Sequence, residues 1–366
     1  MAVDLITPQG VRGEVANHFA QVGNTEAGWM RPFIGKDGRT YVTIYAGGDP
    51  TNRQNYRTFP IQTNGTLRKD EWKALDDAVM RVAQKRLIGI NDLKSKGLTY
   101  PLANAIGTTI LQWEDSSEAG EAIMTMDGKN RGRNDTPKYQ YNYLPIPVIS
   151  FDYEINLRFL NTSRRSGNGV DTEMAANAAR KCVEKMEDMC FANTSYGWGE
   201  KDQRDRNSVY SYVNFPDRNK LTIDSAWSDS GVTGANIRDN IIAAKQMSID
   251  DLHYGPWTLY IPTGWETKLD EDYDSTRGNT IRQRLLNIDG ISEIKVADHL
   301  PSDNAVLVEM DTRTVRLIDG LGLQNVEWSQ EGRWITKYKV LAIQVLQLRS
   351  DQNSRCGIVH LATSHT

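Results

Sequence analysis

Much of what marks a secreted, membrane or metal-binding protein is missing from this sequence. It holds 3 cysteines, Cys182, Cys190 and Cys356, an odd number without paired spacing. No disulfide framework or zinc-type ligand set is written there, and reduced thiols packed as small hydrophobic side chains are expected. No run of about 18 apolar residues occurs, and residues 1–10 lack a basic stretch followed by an apolar one, so neither a membrane anchor nor a secretory signal is expected. The 5 histidines, His18, His253, His299, His360 and His365, are scattered and make no H-E-x-x-H or His/Cys spacing. A net charge of -4 with both signs interspersed lacks the basic footprint of a sequence-specific nucleic-acid binder, leaving weak, nonspecific contact at most.

Catalytic signatures are lacking too. Gly320 and Gly322 follow Ile318-Asp319 without a Lys-Ser/Thr, and Gly47-Gly48-Asp49-Pro50 is a turn, so neither cradles a phosphate. There is no G-x-S-x-G elbow. The acidic run Asp270-Glu271-Asp272 with Asp274 lacks the spacing and glycine of a calcium loop and reads as a solvated loop. Trp227, Trp257 and Trp265 read as core or interface rather than a sugar platform. These absences point to a chain that is not an enzyme and takes no cofactor or metal.

What is present is an ordered succession of elements. Hydrophobic content of 39% over 366 residues suffices for one large or two ordinary domains. Residues 1–65 are rich in Gly, Asn, Thr and Gln, with one strand-like stretch at 40–45 after the turn Gly35-Lys36-Asp37-Gly38. This arm buries little by itself and is expected to keep its N-terminus and to be held by neighbouring subunits. Trp72, Leu75, Val79, Val82 and Leu87 then recur at helical spacing, with Asp70 and Glu71 in the first turn, which predicts a helix over 67–87, closed by Gly89 and 91–100. Stretches 109–113 and 123–126, a polar tip at 127–137, and the aromatic-rich 139–160 predict a long two-stranded hairpin, with Pro145 and Pro147 fit only for an edge or an irregular segment.

A second helix is predicted over 171–192. Val170, Met174, Ala178, Cys182, Met186 and Met189 form its apolar stripe beside Ala175, Ala179 and Val183, with Arg180, Lys185 and Glu187 outside. An α/β alternation follows: helix 234–248, strand 257–261, helices 263–270 and 280–286, and strands 291–297 and 305–310. The apolar stretch 334–348 predicts a strand of about 50 Å at ~3.3 Å per residue, its centre 340–346 buried on both faces.

This order resembles the major capsid proteins of tailed bacteriophages, a fold that encapsulin shells share. Short local matches support the likeness. Trp72, Asp76, Ala78 and Arg86-Leu87-Ile88-Gly89 look like the early helix of encapsulin-like shells, and Leu144-Pro145-Ile146-Pro147 before Phe151-Asp152-Tyr153-Glu154-Ile155 looks like the stretch entering their spine helix. Leu259-Tyr260-Ile261-Pro262-Thr263, and 291–310 followed by 323–348, are similar to the axial domain and its return.

The resemblance implies an α+β fold: an N-terminal arm (1–66), an entry helix (67–107), an extended loop (108–150), a peripheral domain with a spine helix (151–222), an axial α/β domain (223–322), and peripheral return strands with the C-terminus (323–366). It implies Asp127, Lys129, Arg131, Arg133 and Lys138 as an intersubunit loop, with Lys129 and Lys138 in a region where some members carry a lysine-to-asparagine cross-link but most form none, so that none is expected here, and Met174, Ala178, Cys182 and Met186 as spine-helix packing. It further implies a structural subunit that self-assembles as hexamers and pentamers into an icosahedral head enclosing double-stranded DNA. Such a subunit forms in the host cytoplasm and resides in the virion, with no membrane, with DNA touched nonspecifically, and with portal, scaffolding and decoration proteins as further partners. An encapsulin shell around cargo enzyme is the alternative, disfavoured by the long glycine-rich arm in place of a short cargo-facing helix. An unrelated α/β enzyme or binding protein is the third reading.

Overall fold

The computed structural model describes residues 31–46, 52–61, 67–86, 88–118, 124, 126, 136–166, 172–198, 208–273, 278–331 and 334–365. In chain order these form β1 (Phe33–Ile34), β2 (Thr40–Tyr45), β3 (Tyr56–Ile61), α1 (Lys69–Arg86), α2 (Ile88–Ser95), β4 (Thr99–Pro101), β5 (Ile110–Ser116), β6 (Tyr139–Pro145), β7 (Ile149–Asn156), α3 (Leu157–Arg165) and α4 (Glu173–Phe191). Then come β8 (Tyr196–Gly197), β9 (Ser208–Val209), β10 (Asn219–Thr222), α5 (Gly234–Asp250), β11 (Trp257–Ile261), α6 (Glu266–Leu269), α7 (Ile281–Leu286), β12 (Ile291–Val296), β13 (Asn304–Glu309), β14 (Val315–Glu331), β15 (Ile335–Leu348) and β16 (Ile358–Ala362). The chain divides into two compact units: Met1–Thr109, Ile146–Cys190 and Leu317–Val345 form the first, and Ile110–Pro145, Phe191–Arg316 and Leu346–Thr366 the second.

The first unit is organised by a four-stranded sheet in the order β4-β14-β15-β7, in which β7 runs antiparallel to β15 from Ala342↔Ile149 to Ile335↔Asn156. Alternation along β15 sends Thr336, Tyr338, Val340 and Ala342 to one face, all buried, while Lys337 and Lys339 take the other. On the buried face Tyr338 stacks on Tyr153 with ring centroids 5.5 Å apart and meets the edge of Trp72 from α1 at 5.8 Å. Tyr153 also accepts a 2.6 Å hydrogen bond from Asn325 on β14. A glycine at 320 lets the loop after β4 approach, since a Cβ there would lie 2.5 Å from the Ala105 Cβ.

Trp72 anchors more than the sheet. Its indole donates to the Pro32 carbonyl at 2.9 Å, the Arg31 guanidinium lies 4.8 Å over its ring, and Arg31 pairs with Asp76 one turn further along α1. Both charges are buried, at 2% and 3% exposure, so this end of the arm is fastened by a pair that water does not screen. The arm is also more structured than the composition suggests: β1, β2 and β3 form an antiparallel sheet, with Tyr45 packed on Tyr56 at 5.1 Å.

Helix α4 buries Ala175, Ala178, Ala179, Cys182, Val183, Met186, Cys190 and Phe191, a stripe at i, i+3, i+4, i+7 and i+8, and the Cys182 thiol points at the Val340 carbonyl, 3.6 Å away. Two expectations for this helix fail. Met174, counted with the packed stripe, is 47% exposed, because the stripe runs through Ala175 and leaves Met174 on the outer side of the first turn. Glu187, expected outside, is buried and accepts the Gly89 amide at 3.1 Å, where a carboxylate satisfies an unpaired N–H at the start of α2.

The second unit is built on a five-stranded mixed sheet, β10-β16-β13-β11-β12, parallel at both outer pairs and antiparallel between β16, β13 and β11. One face carries Leu259, Ile261, Leu307, Val359 and Leu361 into a core with Ile237, Ile241 and Ala244 of α5 and the stacked pair Trp227 and Trp265, 4.5 Å apart. The other face carries Tyr260, against which Phe191 and Tyr212 pack at 4.9 and 6.0 Å. Trp257 lies between Gly255 and Gly290, both at φ +86, and a Cβ on either would meet its ring within 2.7 Å. All three tryptophans considered as a sugar platform are therefore core.

Two segments differ from expectation in kind. The hairpin ends at Pro145: β7 leaves it, crosses to the four-stranded sheet and turns into α3, whose N-cap Asn156 accepts from the Arg158 amide. The C-terminal segment 323–366 is also not one element. Residues to Val345 stay with the first unit, while β16 sits second in the five-stranded sheet, because its five buried residues complete the core that β13 and β10 leave open.

Candidate assembly surfaces

Side chains left over after the chain's own fold is satisfied mark where it can meet another surface. Strands β5 and β6 pair from Ile110↔Pro145 to Ser116↔Tyr139, so Ile110, Gln112, Glu114 and Ser116 share one face with Tyr139, Tyr141 and Tyr143. Ile110, Tyr139 and Tyr141 are exposed by 41%, 62% and 48%. The opposite face turns inward and buries Leu144 and Asn142. Glu114 accepts the Tyr141 phenol, which raises that hydroxyl above the ordinary tyrosine range and fixes its ring on the outer face.

Of the residues expected in an intersubunit loop, Lys138 lies exposed at the start of β6, its amide donating to the Ser117 hydroxyl at 3.0 Å. Asp127, Lys129, Arg131 and Arg133 lie outside the described residues. Of the spine-helix set, Ala178, Cys182 and Met186 come together on the buried face and Met174 does not.

The first unit has leftover aromatics that sequence reasoning missed. Trp328, Trp334 and Phe159 are 57%, 64% and 75% exposed, with the Trp334 carbonyl accepting from the first amide of α3 at 2.8 Å and Lys339 lying 4.1 Å over the Trp328 ring. A readable signal existed: in the sequence Trp328 and Trp334 flank the polar stretch Glu331-Gly332-Arg333 rather than standing within an apolar run.

Several titratable and nucleophilic groups among the described residues are engaged in structural contacts. Burial alone would raise the Glu309 carboxyl, but hydrogen bonds from His253, from Thr314 at 2.7 Å and from the Gly255 amide at 3.1 Å hold it below its usual range. Thr314 is fully buried. His360 is pushed down to about 3 by burial and the neighbouring Arg218, whose Nε donates to its Nδ1 at 3.2 Å. Burial pushes the Cys182 thiol up to about 12 and raises Cys190 and Cys356 as well, which removes the thiolate a nucleophile needs. Asp270 pairs with Arg282 and Glu271 with Lys268. Among the described residues no cluster of three or more His, Cys, Asp or Glu is arranged to hold a metal ion, and no helix is long and apolar enough to cross a membrane.

The fold has known counterparts. The virus-like particle protein of Pyrococcus furiosus superposes with a TM-score of 0.56 at 15% identity, over 79% of this chain and 98% of that one. The capsid of Myoviridae phage XM1 gives 0.55 at 9% identity, over 70% and 87%. By sequence, the Type 1 encapsulin shell protein EncA of Myxococcus xanthus (strain DK1622) is 23% identical over 249 residues, 66% of this chain and 76% of that protein. The α+β architecture is thus the one that tailed-phage capsid proteins and encapsulin shells share, and, with residues 62–361 matching its profile, the chain belongs to the family of unknown function DUF6260.

Proposed function

We propose that this chain is a structural subunit whose copies assemble into a closed shell, and that the shell is the head of a tailed phage enclosing double-stranded DNA. The observation that carries this is the hairpin: a two-stranded ribbon whose outer face sets Ile110, Tyr139 and Tyr141 in water. A lone hairpin is marginally stable, and exposed aromatics on a ribbon are stabilised when another surface covers them. A second copy of the chain is the natural cover, because closed symmetric assemblies reuse one surface many times. The spine helix and four-stranded sheet of the first unit serve as the peripheral domain, the five-stranded unit as the axial domain, and 1–66 as an arm toward neighbours. Hexamers and pentamers of this subunit form the shell, with nonspecific contact to DNA and with portal, scaffolding and decoration proteins as partners. Chemistry is not its role.

The encapsulin alternative is favoured by one specific observation, the sequence match to a shell protein over 76% of that protein's length. Electron microscopy of purified particles, with nuclease-resistant nucleic acid measured in them, separates the two. DNA-filled heads support the phage subunit; small shells filled with protein support the encapsulin; a soluble monomer at all concentrations contradicts both.

A further inference from the structure

The hairpin is held from below by a turn near the C-terminus. Residues 349–356 are tied to the five-stranded unit at both ends: the Arg349 amide donates to the Thr314 carbonyl at 2.9 Å, the Ser350 hydroxyl to Asp217 at 2.6 Å, and the Cys356 amide to Asp251 at 3.1 Å. Between these anchors the turn is stiff. Asp351 accepts the amides of Asn353 and Arg355, both at 2.8 Å, and Ser354 sits at φ 61.

From this fixed base four side chains reach the hairpin stem. The Gln352 amide donates to the carbonyls of Asp115 and Lys138, at 3.0 and 3.1 Å, and so bridges both strands at once. Arg349 lies 3.6 Å from the Asp115 carboxylate, and Arg355 lies 2.9 Å from Glu118, which Asn353 also approaches at 3.4 Å. A cleft of about 410 Å³ opens beside these contacts, lined by Glu114, Arg313 and Arg355 among others, so the charged contacts face water and are open to screening by salt.

We infer that 349–356 is a clasp that sets the direction of the hairpin on its own subunit, with Gln352 and Arg355 as positioning residues for assembly. The physical need is clear. Leu144 and Asn142 seat part of the inner face, but the strand ends at Ser116 and Tyr139 would otherwise be free to swing, and a swinging ribbon loses entropy on meeting a neighbour. A clasp that grips both strands removes that freedom beforehand. The role of the direction rests on the shell function proposed above; the grip itself does not.

The test uses the full chain carrying Gln352→Ala and Arg355→Ala together, beside wild type. Hydrogen exchange should speed up by about tenfold or more in 110–117 and 138–145 and stay unchanged in β11 and β16. Wild-type hairpin exchange should likewise rise with salt, and the variant's should rise less, since only the Arg349–Asp115 pair remains to be screened. Sedimentation should show fewer closed particles from the variant at equal subunit stability. Unchanged hairpin exchange overturns the clasp; faster exchange with particles of normal yield and size overturns its role in assembly. If wild type itself forms no particles, the shell function fails while the exchange comparison still decides the clasp. Should the double variant not fold, Gln352→Glu, which keeps the volume and loses the donors, gives the same readout.

Discussion

Helix α4 and the β5–β6 hairpin use their apolar side chains in opposite ways. The helix buries eight consecutive stripe residues from Ala175 to Phe191 within the fold of its own chain. The hairpin, of comparable reach, buries one face and leaves Ile110, Tyr139 and Tyr141 on the other. Substitutions on the helix should therefore act on folding, and substitutions on the hairpin's outer face on association. Each of the following outcomes either sharpens that contrast or breaks it.

The largest loss is expected at Asp76 in the second turn of α1. Asp76 is held at 3% exposure with its carboxyl raised by burial, against the opposing pull of Arg31. Asp76→Ala leaves the Arg31 charge buried without a partner and should cost about 3–5 kcal/mol, read from chemical denaturation. A loss under 1 kcal/mol would show that Arg31 escapes to water.

Overpacking comes next. Ala178 is fully buried on the helix stripe, and Ala178→Trp should cost about 1–3 kcal/mol or more and reduce soluble, assembled protein. Normally assembled Ala178→Trp particles would mean that the helix face can yield.

A smaller effect, confined to the second unit, depends on pH. His360 has its folded pKa near 3 against an ordinary 6.5, so the unfolded chain takes up the proton first as pH falls. Its contribution is fully present above about 6.5 and is lost as pH falls from there toward about 3. His360→Gln should flatten the fall of stability with acid in the upper part of this window, before the carboxylates titrate. A wild-type profile that is flat between pH 6.5 and 5, or one identical in the variant, would contradict this assignment.

The same contrast explains how much could be read in advance. Helical spacing made α1 and α4 legible, because burial on one stripe writes itself into spacing, and apolar runs bounded by turn residues made β11, β13 and β15 legible, because strands buried on both faces read as continuous apolar stretches. Strand β16 was not, since five residues gain meaning only from β13 and β10, which lie far off in the chain. The start of β14 was hidden by Gly320, which is there to admit Ala105 rather than to turn the chain. Helix α3 was missed, its first residues 157–160 being counted with the aromatic-rich stretch 139–160, although its cap Asn156 was visible. Among site residues, Ala178, Cys182 and Met186 followed from spacing, whereas the buried Glu187 and the clasp at 349–356 are polar and depend on partners that no periodicity encodes.

The smallest effect on folding and the greatest on function should come from Tyr139→Ser with Tyr141→Ser. Both rings stand on the exposed face of the hairpin, so stability by denaturation should change by no more than about 0.5 kcal/mol. Sedimentation and negative-stain imaging of this double variant beside wild type test the central claim most directly. The account predicts a folded subunit that stops at monomers or small oligomers; full-size shells in wild-type yield would contradict it.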